Sequence, residues 1–398
     1  MPIKSDIKNT IGFKSNSFDK IAGVYNKDVY SIMGINSPTP LPLDSVIISQ
    51  TPVVFRSDNC SSTSIAMLTP DKAIAAYEYD EDRDRLAGCV LSLSDTTIVP
   101  GASTISSEQY TSFQSVDRLE YNKAIVVYRN GDLEGNVCIY SVSNMSVTIG
   151  PLSTFSTANI DSCKVVSLSS AKAIVVYWND DVDDRGEACV LNVDGDTVVP
   201  GSAQVFNNSR SWYAGISRLS SNKFIVTYGD STTYGRARIG TVSGNSISWG
   251  PVATFENART SWTSVCKLSD SKALVAYCDR GNSDKGTACV LDISGTSITP
   301  GTPVVFEAGS IEFTSVTALD EETAIVVYKD ISAGSYGTSC VLKVSGDTVT
   351  PGSAHVFESA STGYECITTM ERTKAIVIYD DNGNNGYGTC CLLEIPTV

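Results

Sequence analysis

The chain has 398 residues, of which 42% are apolar and 18% charged, and a formal net charge of −15. That length exceeds the ~250–300 residues at which one compact core stops growing, so several domains or a radially repeated one are required. So acidic a chain repels phosphate backbones and anionic lipid, which argues against nucleic acid and membrane surfaces as partners. No apolar run approaches the roughly 20 residues that span a bilayer.

Residues 1–43 read as an arm. They hold five Lys and three Asp, a charge of +2, which leaves −17 on the remainder. The opening MPIKSDIKNT lacks the charged-then-apolar order of a secretory signal. Gly12, Gly23 and Gly34 recur at a spacing of 11 residues, and Pro38, Pro40 and Pro42 form a stiff linker. The arm is too short and too punctuated for a core of its own. The expected role is attachment to a protein partner or a neighbouring subunit through residues 1–43, and the alternative is that the arm folds back on its own chain.

From residue 44 onward the chain repeats. KAIAAY, KAIVVY, KAIVVY, KFIVTY, KALVAY, TAIVVY and KAIVIY end at Tyr77, Tyr128, Tyr177, Tyr228, Tyr277, Tyr328 and Tyr379, spaced by 51, 49, 51, 49, 51 and 51 residues. Twenty-two residues before each Tyr stands a Phe, except that Ser106 replaces it once. Cys89, Cys138, Cys189, Cys289, Cys340 and Cys391 share one repeat position, with Arg238 in the fourth copy. Equivalent positions in different copies lie too far apart for disulfides, so these read as small buried apolar side chains of a reduced protein. The length from Tyr to Cys is 12 residues in five copies and 10 in two, an even step that keeps side chains on their faces.

Each copy predicts four short strands. The AIVVY runs are β-branched, too short for helices and apolar at consecutive positions, so both faces are buried. Four strands per ~50-residue repeat predict a propeller blade. The last copy stops seven residues after Cys391 and lacks a fourth strand, whereas DSVIISQTPVVF at 44–55 is a fourth strand without a blade. Pairing the two predicts an all-β, seven-bladed β-propeller with four-stranded blades, closed by an N-terminal strand. The division expected is an arm at 1–43 and a propeller at 44–398.

The pattern KAIVVYxDxxxxxxGTACVLxVSGxTxTPGxxxVF resembles propeller repeats of uncharacterised bacteriophage and environmental bacterial proteins. The segments FDKIAGV and VYSIMGI resemble short repeats that precede the main domain in some phage structural proteins. These resemblances imply a virion protein assembled in the host cytoplasm, structural or adhesin-like, that displays its propeller for host recognition or surface decoration. A soluble carbohydrate-binding module of lectin type is the alternative, and a glycosidase-type enzyme stands behind both.

No catalytic residues are assigned. The one histidine, His355, occupies a variable strand position, and no G-x-S-x-G, P-loop or C-x-x-C signal occurs. The expectation is therefore that the chain is not an enzyme and uses no cofactor. The acidic loops YDEDRDRLAG at 79–88, NDDVDDRGEA at 179–188 and DDNGNNGYG at 380–388 carry oxygens suited to calcium. None follows the D-x-D-x-D-G order, so they read as hairpin tips and no metal ligands are assigned. Aromatics are the better signal: Phe113, Tyr213, Trp262, Phe313 and Tyr364 stand fifteen residues before the repeat Tyr, with Trp212 adjacent. Together with Arg210, Asn257 and Arg259 they form a candidate rim for stacking on sugars, a cell-surface glycan among them, or for clamping a protein segment. Otherwise they plug the mouth of the channel or pack between blades.

Overall fold

The computed structural model describes residues 48–49, 51–80, 83–94, 97–230 and 234–396. The chain divides into two units, Met1–Pro40 and Leu41–Val398. The arm and its glycines lie outside the described residues.

The fifth copy shows the construction. Its first strand, Thr260–Ser269, pairs antiparallel with Lys272–Asp279, which pairs with Lys285–Ser294. That third strand then carries a split fourth: Ser297–Pro300, followed by the start of the long strand Val304–Asp320. The same long strand goes on to become the first strand of the next copy. Numbered by their tyrosines, from Tyr77 in the first to Tyr379 in the seventh, seven such units are present among the described residues. The seventh receives its fourth strand from the other end of the chain, with Ile48 opposite Glu394 and Val53 opposite Cys390. First strands of successive units touch one another in a closed ring, the seventh meeting the first through the Thr63 hydroxyl, which donates to the Tyr364 carbonyl at 2.6 Å. This is an all-β propeller.

The repeat signature has a packing reason. Each repeat Tyr is fully buried, and in six units a Phe of the preceding unit's fourth strand meets its ring at 5.1–5.4 Å between centroids. The same Phe packs against a third-strand glycine, so that a Cβ on Gly286 would stand 2.5 Å from the Phe306 ring. Where Ser106 replaces the Phe, the glycine becomes Leu86, which is wholly buried and packs in one cluster with Tyr128. The repeat thus fills one space with one large side chain, taken from either strand.

All twelve cysteines are free thiols, eleven of them buried. Those at the repeat position do more than fill space. Cys89, Cys189, Cys289 and Cys340 donate to the carbonyl of the glycine twelve residues on, at 3.1–3.4 Å, and in the fourth unit Arg238 Nε donates to Gly250 O at 3.0 Å. Neighbouring units are latched at their outer corner. Lys123, Lys172, Lys223 and Lys272 each donate through Nζ to a turn glycine carbonyl of the next unit, at 2.6–3.0 Å.

Candidate functional site

Where the first strand enters each unit, its pairing with the second slips. In every unit the register shifts across a short step, as between Ser261 and Ser264 or Glu312 and Ser315. A bulge of this kind re-aims a side chain. The bulged residues Phe113, Tyr213, Trp262, Phe313 and Tyr364 all have left-handed backbone, with φ between 51 and 58°. For a bulky L-residue that conformation costs about 1–2 kcal/mol. It occurs at the same place in five units and with an aromatic each time, so the surrounding structure enforces it.

At four of these bulges the carbonyl is caught by the next unit. Thr63 takes Tyr364 O and Thr263 takes Tyr213 O, both at 2.6 Å, while Thr314 takes Trp262 O and Cys163 Sγ takes Phe113 O. The equivalent position in the seventh unit is Glu365. It is buried, its Oε1 accepts from the Thr362 hydroxyl, and its Oε2 has no partner. Burial pushes its carboxyl up to about 8, so at neutral pH it is largely protonated and carries a hydroxyl donor, as the threonines do.

All five bulge aromatics and Trp212 line one cavity of about 570 Å3 on the propeller axis. Four of them form a continuous tilted stack: Tyr213 to Trp262 at 4.1 Å, Trp262 to Phe313 at 4.3 Å and Phe313 to Tyr364 at 4.8 Å between ring centroids. Trp178 extends the stack, edge-on to Tyr213 at 6.1 Å. Phe113 stands apart under the guanidinium of Arg129, 4.8 Å from its centroid. Trp212 lies between Arg210 and Arg259 at 5.3 and 5.4 Å. The rim residues expected from the sequence are therefore brought together around one cavity, and four of the rings also stack on one another.

Two contributors were not anticipated, Trp178 and Glu365. Trp178 follows a repeat Tyr directly, a position held otherwise by Glu78, Arg129, Gly229, Cys278, Lys329 and Asp380. One variable, mostly polar position inside an apolar strand was the available signal. Glu365 left no such trace, since its meaning depends on the neighbouring unit's carbonyl.

No protein-family model matches the chain, and no curated protein matches it. Solved structures do. One is a protein of unknown function from Dyadobacter fermentans, 10% identical, covering 89% of this chain and 98% of that one with a TM-score of 0.51. Another is the NanB sialidase of Streptococcus pneumoniae in complex with a chlorobenzyl-ammonio-ethanesulfonate, 11% identical, covering 93% of this chain and 72% of that one with a TM-score of 0.50. The likeness is one of fold. It overturns the expectation that the chain is not an enzyme, because an enzyme is built on this architecture and the missing sequence motifs lose their force. On such a fold, acids far apart in the chain act on one another, as when the charge of Asp80 in the first unit acts on Asp380 in the seventh. The chain is thus similar in fold to sialidase β-propellers.

Proposed function

We propose that the protein is a carbohydrate-binding β-propeller that recognises glycans at the aromatic mouth of its axis. The observation that carries this reading is the set of five aromatics held in left-handed backbone around one 570 Å3 cavity. Sugar rings present apolar faces that stack on aromatic faces, and arginines beside those rings supply donors for hydroxyls. The test is a glycan array probed with the full chain. Specific binding that disappears in Trp262→Ala and Tyr213→Ala supports the reading; binding untouched by both refutes it.

Glycoside hydrolysis is the second reading, favoured by Glu365, a buried acid poised at about 8 beside the cavity. A protonated carboxyl next to a bound glycan is a candidate general acid. Release of reducing ends from bound glycans, lost in Glu365→Gln, supports it. The virion setting, display as an adhesin and attachment through residues 1–43 rest on the sequence resemblance and on Gly12, Gly23 and Gly34. Deleting the arm and asking whether the protein still joins its assembly tests that part separately.

A further inference from the structure

We propose that the second-to-third-strand hairpin of the first unit holds a divalent cation of the calcium type, ligated by Glu78, Asp80 and Asp84 and by Asp380 of the seventh unit. One ligand oxygen from each of Glu78, Asp80 and Asp84 lies within 4.8 Å of the others. Calcium binds oxygens at about 2.3–2.6 Å, so oxygens on opposite sides of the ion stand roughly 5 Å apart, and these three fit around one ion.

The propeller contains its own comparison. In the third unit, Asp180 and Asp184 occupy the places of Asp80 and Asp84. There the acids have cations: Arg129 of the second unit reaches across to Asp161 at 3.4 Å and also acts on Asp180, and Arg210 pairs with Asp184. In the first unit both cations are gone. The place of Arg210 is taken by Tyr110, and that of Arg129 by Asp380. A position that delivers a positive charge to the third unit's hairpin thus delivers a carboxylate to the first unit's.

Asp380 is 5% exposed and its Oδ1 has no partner. Its charge acts against Asp80, and Lys329 provides the opposing field. The ion pairs among the described residues include none made by Glu78, Asp80 or Asp84. Burial and mutual repulsion push Glu78 up to about 7, and Asp80 and Asp380 to about 6.

The bulge next to this cluster differs as well. Ser62, with φ of 50°, stands where five other units carry an aromatic. Ser61 Oγ donates to Asp80 Oδ1 at 3.3 Å, and Asn59 Nδ2 to Asp80 Oδ2 at 2.9 Å, which orients that carboxylate. The donor set is all oxygen. Nearby Cys60 is no thiolate, because burial pushes its thiol up to about 12. A hard cation is favoured over zinc.

The test is titration of the chelator-stripped full chain with calcium chloride, read by calorimetry and by thermal unfolding. Saturable binding at one site, with a rise in Tm, is expected. Asp380→Arg copies the third unit's solution; it should weaken calcium binding at least about tenfold while raising the Tm of the cation-free protein. Asp80→Asn should do the same, and Asp180→Asn should leave calcium affinity unchanged. The opposite Tm shifts separate loss of the ion from loss of the fold. Absence of saturable binding up to about 10 mM calcium, or wild-type affinity in both Asp380→Arg and Asp80→Asn, overturns the proposal.

Discussion

The exchange between Phe–Gly and Ser–Leu pairs can be moved from one unit to another. In the fifth unit Phe306 lies against Gly286 and meets Tyr328 at 5.4 Å; in the first unit Ser106 and Leu86 hold those places. Phe306→Ser empties a site that is 8% exposed and should cost about 4 kcal/mol, as large-to-small core changes do. Gly286→Leu alone drives a Cβ to 2.5 Å from the Phe ring, an overpacking of about 3 kcal/mol. Independent effects would sum to roughly 7 kcal/mol, whereas the double variant should cost only about 4 kcal/mol, a coupling near 3 kcal/mol. Urea unfolding of the four proteins, followed by tyrosine and tryptophan fluorescence, measures this directly. Costs that add to within about 0.5 kcal/mol in the double variant would show that the two pairs do not fill a common space.

Glu365→Gln should stabilise the protein in a pH-dependent way. The folded carboxyl sits at about 8 against 4.5 when exposed, so the native state binds the proton more tightly and stability falls as pH rises from 4.5 to 8. The penalty is full above 8, with an upper bound of roughly 5 kcal/mol from ~1.4 kcal/mol per pH unit. Glutamine keeps a donor without the charge. Thermal unfolding should show a gain at pH 9 that vanishes at pH 4, and an equal effect at both would refute the assignment. Lys272→Met removes a latch to Gly346 O at 3.0 Å, a bond at the exposed outer corner; it should cost about 1 kcal/mol or less. A loss above about 3 kcal/mol in denaturant unfolding would mean that the latch closes the ring rather than trimming it. Trp262→Gly releases φ of 53° at the expense of the ring. Its stability should change less than that of Trp262→Ala, which must keep the left-handed backbone, by about 1 kcal/mol in a thermal-unfolding comparison.

How much of this was legible in the chain depends on the distance over which the physics acts. Strand count, closure of the last unit by the first strand and the burial of AIVVY follow from a period of ~50 residues and from side-chain alternation, which are local properties written seven times over. The same ruler located five rim aromatics, with Trp212 adjacent, because the bulge that carries them recurs at a constant offset from the Tyr. The reason for Ser106 was not visible, since its partner Leu86 looks like any apolar residue until the two strands are paired. Glu365 could be understood only once the Phe113-type carbonyls were seen to be captured by the following unit. Asp380 stands some 300 residues from Asp80 in the chain, and only ring closure brings it within reach of Asp80's charge. Sequence determined what each unit is, because each unit's strands are neighbours in the chain. Tertiary structure decided what the axis and the junction between the seventh and first units hold, because charges and carbonyls from different units interact across space and leave no spacing to read.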